Sequence, residues 1–309
     1  MLMEECIQCS LCGSSNYKDY LVRGDLNLFL EGKFHLVQCL ECGLVYLNPR
    51  PSRTELPLLY PDHYDQFNFA IHKHSFLSRL DHEYGLRKRC KAVLRYKKHG
   101  RLLDVGCATG DFLNAMRRYR GWEVYGVEIN KSASEYARRQ LGLMVETGTL
   151  EDVDFPEMYF DVVTLWHVLE HIYDPIDALK KIYRLLKPDG ILIFTTPNLD
   201  SLDARLFGPF WIGYDLPRHF YVFSLRTIRA LADKSGFRIL DMRCLYGSYA
   251  AAASSIRFWM RAKYRNAKWL PRVERVLFSL SFRILAAPYF FIMDRLRLSS
   301  ALTVTCVKS

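Results

Sequence analysis

The sequence has no internal repeat and no long Ser-, Pro- or Gly-rich stretch, which excludes a solenoid and a disordered tether. It has no basic start followed by an apolar run. Met1–Ser10 carry two acids and two cysteines instead, so no secretory signal is expected and the chain is placed in the cytoplasm. In that compartment nine cysteines do not form a disulfide framework, and five of the nine lie before residue 43. Acidic residues are scarce at the other end. Residues 253–309 hold eleven Lys or Arg against two acids, so the net charge of +10 belongs almost wholly to the last fifth of the chain. No apolar run is both long and free of charge. Val276–Met293 is interrupted by Arg283 and Pro288, which argues against a membrane span.

What is present suffices for one α/β core and a smaller unit in 309 residues, half of them apolar. Cys9-Ser-Leu-Cys12-Gly13 and Cys39-Leu-Glu-Cys42-Gly43 repeat one CxxCG pattern across 26 intervening residues. The two-residue spacing lets paired thiolates face one ion, and the glycine allows the tight turn that follows. Four sulfurs fill a tetrahedral site and leave no place for water, so a zinc at Cys9, Cys12, Cys39 and Cys42 is expected to be structural. Cys6 sits three positions before Cys9 and offers an alternative first pair, but only Cys12 has the following glycine.

From residue 101 short apolar runs alternate with amphipathic segments, the pattern of parallel strands joined by helices. Arg101–Val105 reads as a buried strand, Gly106–Gly110 as a glycine-flanked turn and Asp111–Arg118 as a helix. The next strand, Glu123–Val127, ends in Glu128, 22 residues beyond Gly106, where an acid can accept hydrogen bonds from ribose hydroxyls. Gly106-x-x-x-Gly110 lacks the GxGxxG spacing of dinucleotide enzymes, and Asp111 stands where their phosphates would rest. A phosphate-free nucleoside fits better.

These segments, in this order, resemble class I S-adenosylmethionine-dependent methyltransferases. Leu102–Gly110 is similar to their first motif, Val127-Glu128-Ile129 to their ribose-binding acid, Gly148–Phe155 to their adenine turn, and Phe160–Leu165 and Leu185–Pro197 to their fourth and fifth strands. The resemblance implies an α/β, Rossmann-like doubly wound sheet and a cofactor site at Asp104, Gly106, Cys107, Ala108, Gly110, Glu128, Ile129, Thr149, Leu150 and Glu151. Two positions depart from the family: Ala108 stands where glycine is frequent, and Thr149 where the adenine turn usually has aspartate. The nearer resemblance is to bacterial methyltransferases of natural-product, sugar and cell-surface glycan pathways that carry a four-cysteine ribbon.

The expected organisation is a ribbon at 1–50, a helical linker or lid at 51–98, and a core at 99–309 with a basic helical insertion at 247–300. His167 follows the fourth strand at the rim where open α/β sheets bind ligands, which makes it a candidate base. His167-Val-Leu-Glu170-His171 also matches the HxxEH of a metalloprotease class, but it follows a strand and precedes Asp174-Pro175, which favours a turn. Trp211–Phe220 crowds aromatics around Arg218 and His219, which read as contacts to an anionic or hydroxylated acceptor or else as a solvated loop, and His219 is the second catalytic candidate, facing a small-molecule, sugar or lipid-linked acceptor. For the insertion, one reading is a pair of helices covering the active site. The other is a peripheral anionic membrane surface at the inner face, contacted by Arg257, Arg261, Lys263, Arg265 and Lys268 with Phe258, Trp259 and Trp269. Nucleic acid ranks below these: an RNA methylase would show Pro-Pro and an aromatic after the fourth strand, and Trp166-His167 stand there. The alternative outside enzymes is a binding protein that has lost catalysis.

Overall fold

A computed structural model describes residues 4–59, 76–245 and 248–309. Part of the expected linker, residues 60–75, and Tyr246 at the expected end of the sixth strand lie outside them. The chain forms two compact units, one from residues 60–195, 229–242 and 303–309, the other from residues 1–59, 196–228 and 243–302.

The first unit is built on a seven-stranded sheet. Its strands in chain order are β1 Gly100–Val105, β2 Trp122–Glu128, β3 Met144–Thr147, β4 Phe160–Trp166, β5 Leu186–Pro197, β6 Phe237–Arg243 and β7 Ala301–Lys308. Their order across the sheet is β6-β7-β5-β4-β1-β2-β3. The pairs β1–β2, β1–β4, β2–β3 and β4–β5 are parallel. This is the Rossmann-like sheet expected from the sequence, and the order reverses beside β1. Strands buried on both faces read as continuous apolar runs, and Leu102, Leu103, Val162, Val163, Ile191, Leu192 and Ile193 are all buried.

Helices start and stop where their terminal residues dictate. Asn130 caps helix Lys131–Leu141 by accepting from the Ala133 amide at 2.9 Å, and Gly142 at φ 61° ends it. Helix Pro175–Leu185 begins on proline, whose missing N–H costs nothing in the first turn, and buries Ala178, Leu179, Ile182 and Leu185 along one stripe. Of the expected linker, Phe76–Leu94 is a helix.

The second unit holds the cysteine module. Strands Tyr17–Arg23, Phe34–Cys39 and Val45–Leu47 form an antiparallel sheet, and Tyr221–Val222 adds a fourth strand beside Val45–Leu47. The sequence places the ribbon at residues 1–50, and this fourth strand comes from beyond that range. A ribbon this small buries little by itself, and Tyr221 covers it: its hydroxyl bonds Ser10 Oγ at 2.6 Å and accepts from Arg50 Nη1 at 3.1 Å. Three helices, Ser248–Lys263, Leu270–Leu277 and Leu280–Arg295, complete the unit around a small apolar core of Ala253, Met260, Leu270 and Leu277.

Candidate active site and cysteine centre

Gly106 leaves β1 at φ 71° and Gly110 enters helix Asp111–Met116 at φ 82°, backbone that L side chains rarely adopt. Space is short as well. A Cβ on Gly106 would lie 2.5 Å from Val168 Cγ2, and one on Gly110 would lie 2.5 Å from Leu143 Cδ1. Ala108 takes φ 49° without glycine's freedom, so the alanine noted in the sequence carries left-handed strain of about 1–2 kcal/mol.

Glu128 ties this turn to its neighbours. It is 1% exposed, accepts from the Ala108 amide through Oε2 and from the Asn130 amide through Oε1, both at 2.8 Å. Its own carbonyl accepts from the Gly148 amide at 3.0 Å. The glycine turn, the acid and the expected adenine turn are thus joined through one residue. Burial raises the Glu128 carboxyl pKa, and the amides of Asn130, Ala108 and Ile129 oppose that shift. Each carboxylate oxygen retains acceptor capacity beyond the amide it holds, which suits a vicinal diol. Asp104 lies deeper, accepting from Thr164 Oγ1 at 2.6 Å, and burial pushes its carboxyl up to about 7.

In the expected adenine turn the structure supplies an acid that sequence reasoning missed. Asp152 Oδ2 accepts from the Thr149 amide at 2.8 Å and from Thr149 Oγ1 at 2.7 Å. The signal was Thr-x-x-Asp, the spacing of a capping box. Leu150 is buried between them, while Ile129 is 45% exposed and Cys107 is buried beneath the glycine turn. This cradle of strained turns, buried acid and tied adenine loop fits S-adenosylmethionine.

His167 leaves β4 at φ 59°, its amide bonded to the Thr195 carbonyl. Its Nδ1 lies 3.2 Å from Glu170 Oε1, and the Glu170 side chain is fully buried. A carboxylate only accepts, so the hydrogen of this bond sits on Nδ1. Leu169–His171 is one 3₁₀ turn rather than the long helix a metalloprotease requires.

His219 belongs to the second unit, where it is 9% exposed and its Nδ1 lies 2.8 Å from the Gly213 carbonyl. The rest of its loop is core. Trp211, Leu216, Arg218 and Phe220 are at most 1% exposed, and Trp211 Nε1 donates to Ser300 Oγ at 3.1 Å. Arg218 is held by two carboxylates: Nη1 and Nη2 fork onto Asp25 at 2.9 and 2.7 Å, and Nε and Nη2 onto Asp215 at 3.0 and 2.7 Å. Burial alone would lower its pKa, but Asp215 and Asp25 outweigh that and hold it above its ordinary value. Arg218, read from sequence as an acceptor contact, is a structural clasp.

The four ribbon sulfurs lie within 4.8 Å of one another, with Cys9–Cys42 and Cys12–Cys39 at 3.5 Å. A tetrahedron with metal–sulfur bonds of about 2.3 Å has edges of about 3.8 Å, so the cluster is compatible with zinc. The two knuckles match each other. The Gly13 and Gly43 amides bond the Cys9 and Cys39 carbonyls, and both glycines have positive φ, 78° and 81°. Cys6 is exposed and outside the cluster.

Comparison with known proteins agrees with this geometry. A family model described as "Methyltransferase domain" matches residues 76–241, more than half of the chain. The ubiquinone biosynthesis O-methyltransferase of Alkalilimnicola ehrlichii is 42% identical over 104 residues, 32% of this chain and 42% of that protein. The enzyme of that name from Actinobacillus pleuropneumoniae is 35% identical over 156 residues, covering 47% of this chain and 66% of its own length. The chain therefore spans under two thirds of each. An uncharacterized methyltransferase of Schizosaccharomyces pombe is 28% identical over 239 residues, 70% of this chain and 82% of that protein. A chain in the complex between the Haloferax volcanii Trm112 methyltransferase activator and a methyltransferase shares the fold, with TM-score 0.50, 15% identity, and 74% and 91% coverage of this chain and that one. The chain belongs to the methyltransferase domain family.

Proposed function

We propose that the protein methylates a hydroxyl of a small or lipid-linked acceptor, with His167 as the general base. The observation that carries this reading is the His167–Glu170 pair at the carboxyl end of β4, the side of an open α/β sheet where ligands bind. The names of the relatives, O-methyltransferases of a quinone pathway, support oxygen as the methyl acceptor. Bound S-adenosylmethionine supplies an electrophilic sulfonium methyl. Glu128, the backbone from Gly106 to Gly110 and the Thr149–Asp152 turn would hold it, and Glu170 orients the imidazole so that Nε2 would accept the hydroxyl proton. His219, with Nδ1 bonded to Gly213, presents the same tautomer and is the second candidate for contact with the acceptor. In the ribbon, Cys9, Cys12, Cys39 and Cys42 hold a structural zinc.

The test incubates the protein with labelled S-adenosylmethionine and a panel of phenols, nucleotide-sugars, lipid-linked glycans and RNA. Label is expected in a hydroxyl-bearing small or lipid-linked fraction. His167→Ala lowers kcat by about 10²–10⁴ near neutral pH, with partial recovery at high pH where the hydroxyl ionises unaided. Label in RNA, or a His167→Ala variant with unchanged kcat and pH profile, contradicts the reading.

A further inference from the structure

Helix Leu280–Arg295 is rich in apolar residues, yet none of its sixteen residues is buried. Ile284, Leu285, Phe291 and Ile292 are 63, 77, 62 and 52% exposed. Together with Pro288 they follow the spacing i, i+1, i+4, i+7, i+8, so they form one stripe along the helix. The opposite face is the one that packs. The Arg283 guanidinium lies 5.6 Å from the Tyr249 ring centre, Phe290 meets the same ring edge-on at 5.5 Å, and Asp294 accepts from Ser299. The stripe continues onto the adjoining helix and linker through exposed Val276 and Phe278. A folded monomer rarely leaves an apolar surface this continuous uncovered.

The charge around the stripe selects what covers it. Residues 248–300 hold ten Lys or Arg and only two acids. Glu274 offsets Arg261, which it holds at 2.7 and 2.9 Å, and Asp294 accepts from Ser299, so ten cations against two acids leave the segment at +8. Lys268, Arg272, Arg275, Arg295 and Arg297 remain exposed. Trp259 and Trp269, 39 and 43% exposed, stand near these cations in the chain and have the amphipathic rings that favour a bilayer interface.

We propose that helices Leu270–Leu277 and Leu280–Arg295 dock the protein onto an anionic lipid bilayer, with the stripe from Val276 to Leu296 inserted among the acyl chains and the flanking cations at lipid phosphate. The helices lie in the surface and do not cross it. The longer one measures about 24 Å against a hydrocarbon core of about 30 Å, and the pair is bent by 59°. This corrects the surface expected from sequence. Phe258 is 5% exposed and faces the core, Arg257 is half-buried against the Phe278 ring, and the insertion point moves some twenty residues along the chain to Ile284–Ile292. The proposal is independent of the acceptor and stands whether or not His167 is the base.

The experiment is sedimentation of the full chain with vesicles of phosphatidylcholine alone and with 30% phosphatidylglycerol. The protein is expected to pellet with the anionic vesicles, to be released by 0.5 M salt, and to stay largely in the supernatant with neutral ones. Leu285→Glu/Ile292→Glu removes pelleting. Arg272→Gln/Arg275→Gln weakens partition by about tenfold or more, from about 1 kcal/mol per cation near the surface. All four positions are exposed, and unchanged S-adenosylmethionine binding by the variants verifies their fold. Failure to pellet with anionic vesicles, pelleting that the double glutamate leaves intact, or a dimer in solution that the same substitution splits, each overturns the proposal.

Discussion

Arg218→Met separates a structural clasp from an acceptor contact. Asp25 and Asp215 are buried on either side of the guanidinium, and each receives a two-bond fork from it. Asp25 also accepts from the Asn27 and Leu28 amides at 2.8 and 3.1 Å, so the hairpin turn after Tyr17–Arg23 is organised on the same carboxylate. Removing the cation leaves two carboxylates in a dry interior, where breaking such a pair costs about 3–5 kcal/mol. At about 2–4 °C per kcal/mol for a unit of this size, the apparent melting temperature falls by about 6–20 °C. Lysine cannot repair the loss, because one ammonium does not reproduce two planar forks. Differential scanning fluorimetry reads the shift, and steady-state assays below the transition read KM for the acceptor. A variant that melts like the wild type but has a tenfold higher KM refutes the clasp and returns Arg218 to the acceptor.

Three further outcomes are expected. Protein purified without chelator carries about one zinc per chain by mass spectrometry. Cys12→Ser or Cys39→Ser abolishes it and Cys6→Ser does not, whereas zinc loss in Cys6→Ser would mean a different ligand set. Ala108→Gly removes left-handed strain of about 1–2 kcal/mol and adds chain entropy of about 0.4–1 kcal/mol to the unfolded state. The variant is therefore slightly more stable in urea, and a loss of stability contradicts the strain assignment. The Asp104 carboxyl is raised by burial to about 7 from an ordinary value of 3.8, so the folded state holds its proton over that interval while the unfolded chain releases it. Stability accordingly falls as pH rises from about 4 to about 7 and is flat in this respect above. Asp104→Asn flattens that slope in denaturant titrations across pH, and an unchanged slope excludes Asp104 as its source.

The glycine turn and its acid were legible because their geometry is local. Gly106, Gly110 and Glu128 lie on one strand–turn–helix–strand unit, and the two CxxCG knuckles declare themselves by spacing alone. The clasp was not legible, since Asp25 and Arg218 are 193 residues apart and neither belongs to a periodic pattern. The Trp211–Phe220 loop misled for a related reason: aromatics beside Arg and His suit a binding loop and a polar-bonded core equally, and only burial distinguishes them. In the insertion, periodicity revealed amphipathic helices but not which face finds a partner within the chain. Tyr249 decides that, by engaging Arg283 and Phe290. Asp152 is readable in principle from Thr-x-x-Asp, but it stands three residues after the position where the family's aspartate is expected and Thr149 is found.

The central claim is that Glu128 and the turns bonded to it form the S-adenosylmethionine site. Isothermal titration of the wild type and of Glu128→Gln with S-adenosylmethionine tests it directly. The wild type is expected to bind about one equivalent, and Glu128→Gln to bind about 10- to 100-fold more weakly, the range for losing a charged hydrogen bond. No heat of binding to the wild type, or equal affinity in the two proteins, would contradict the account.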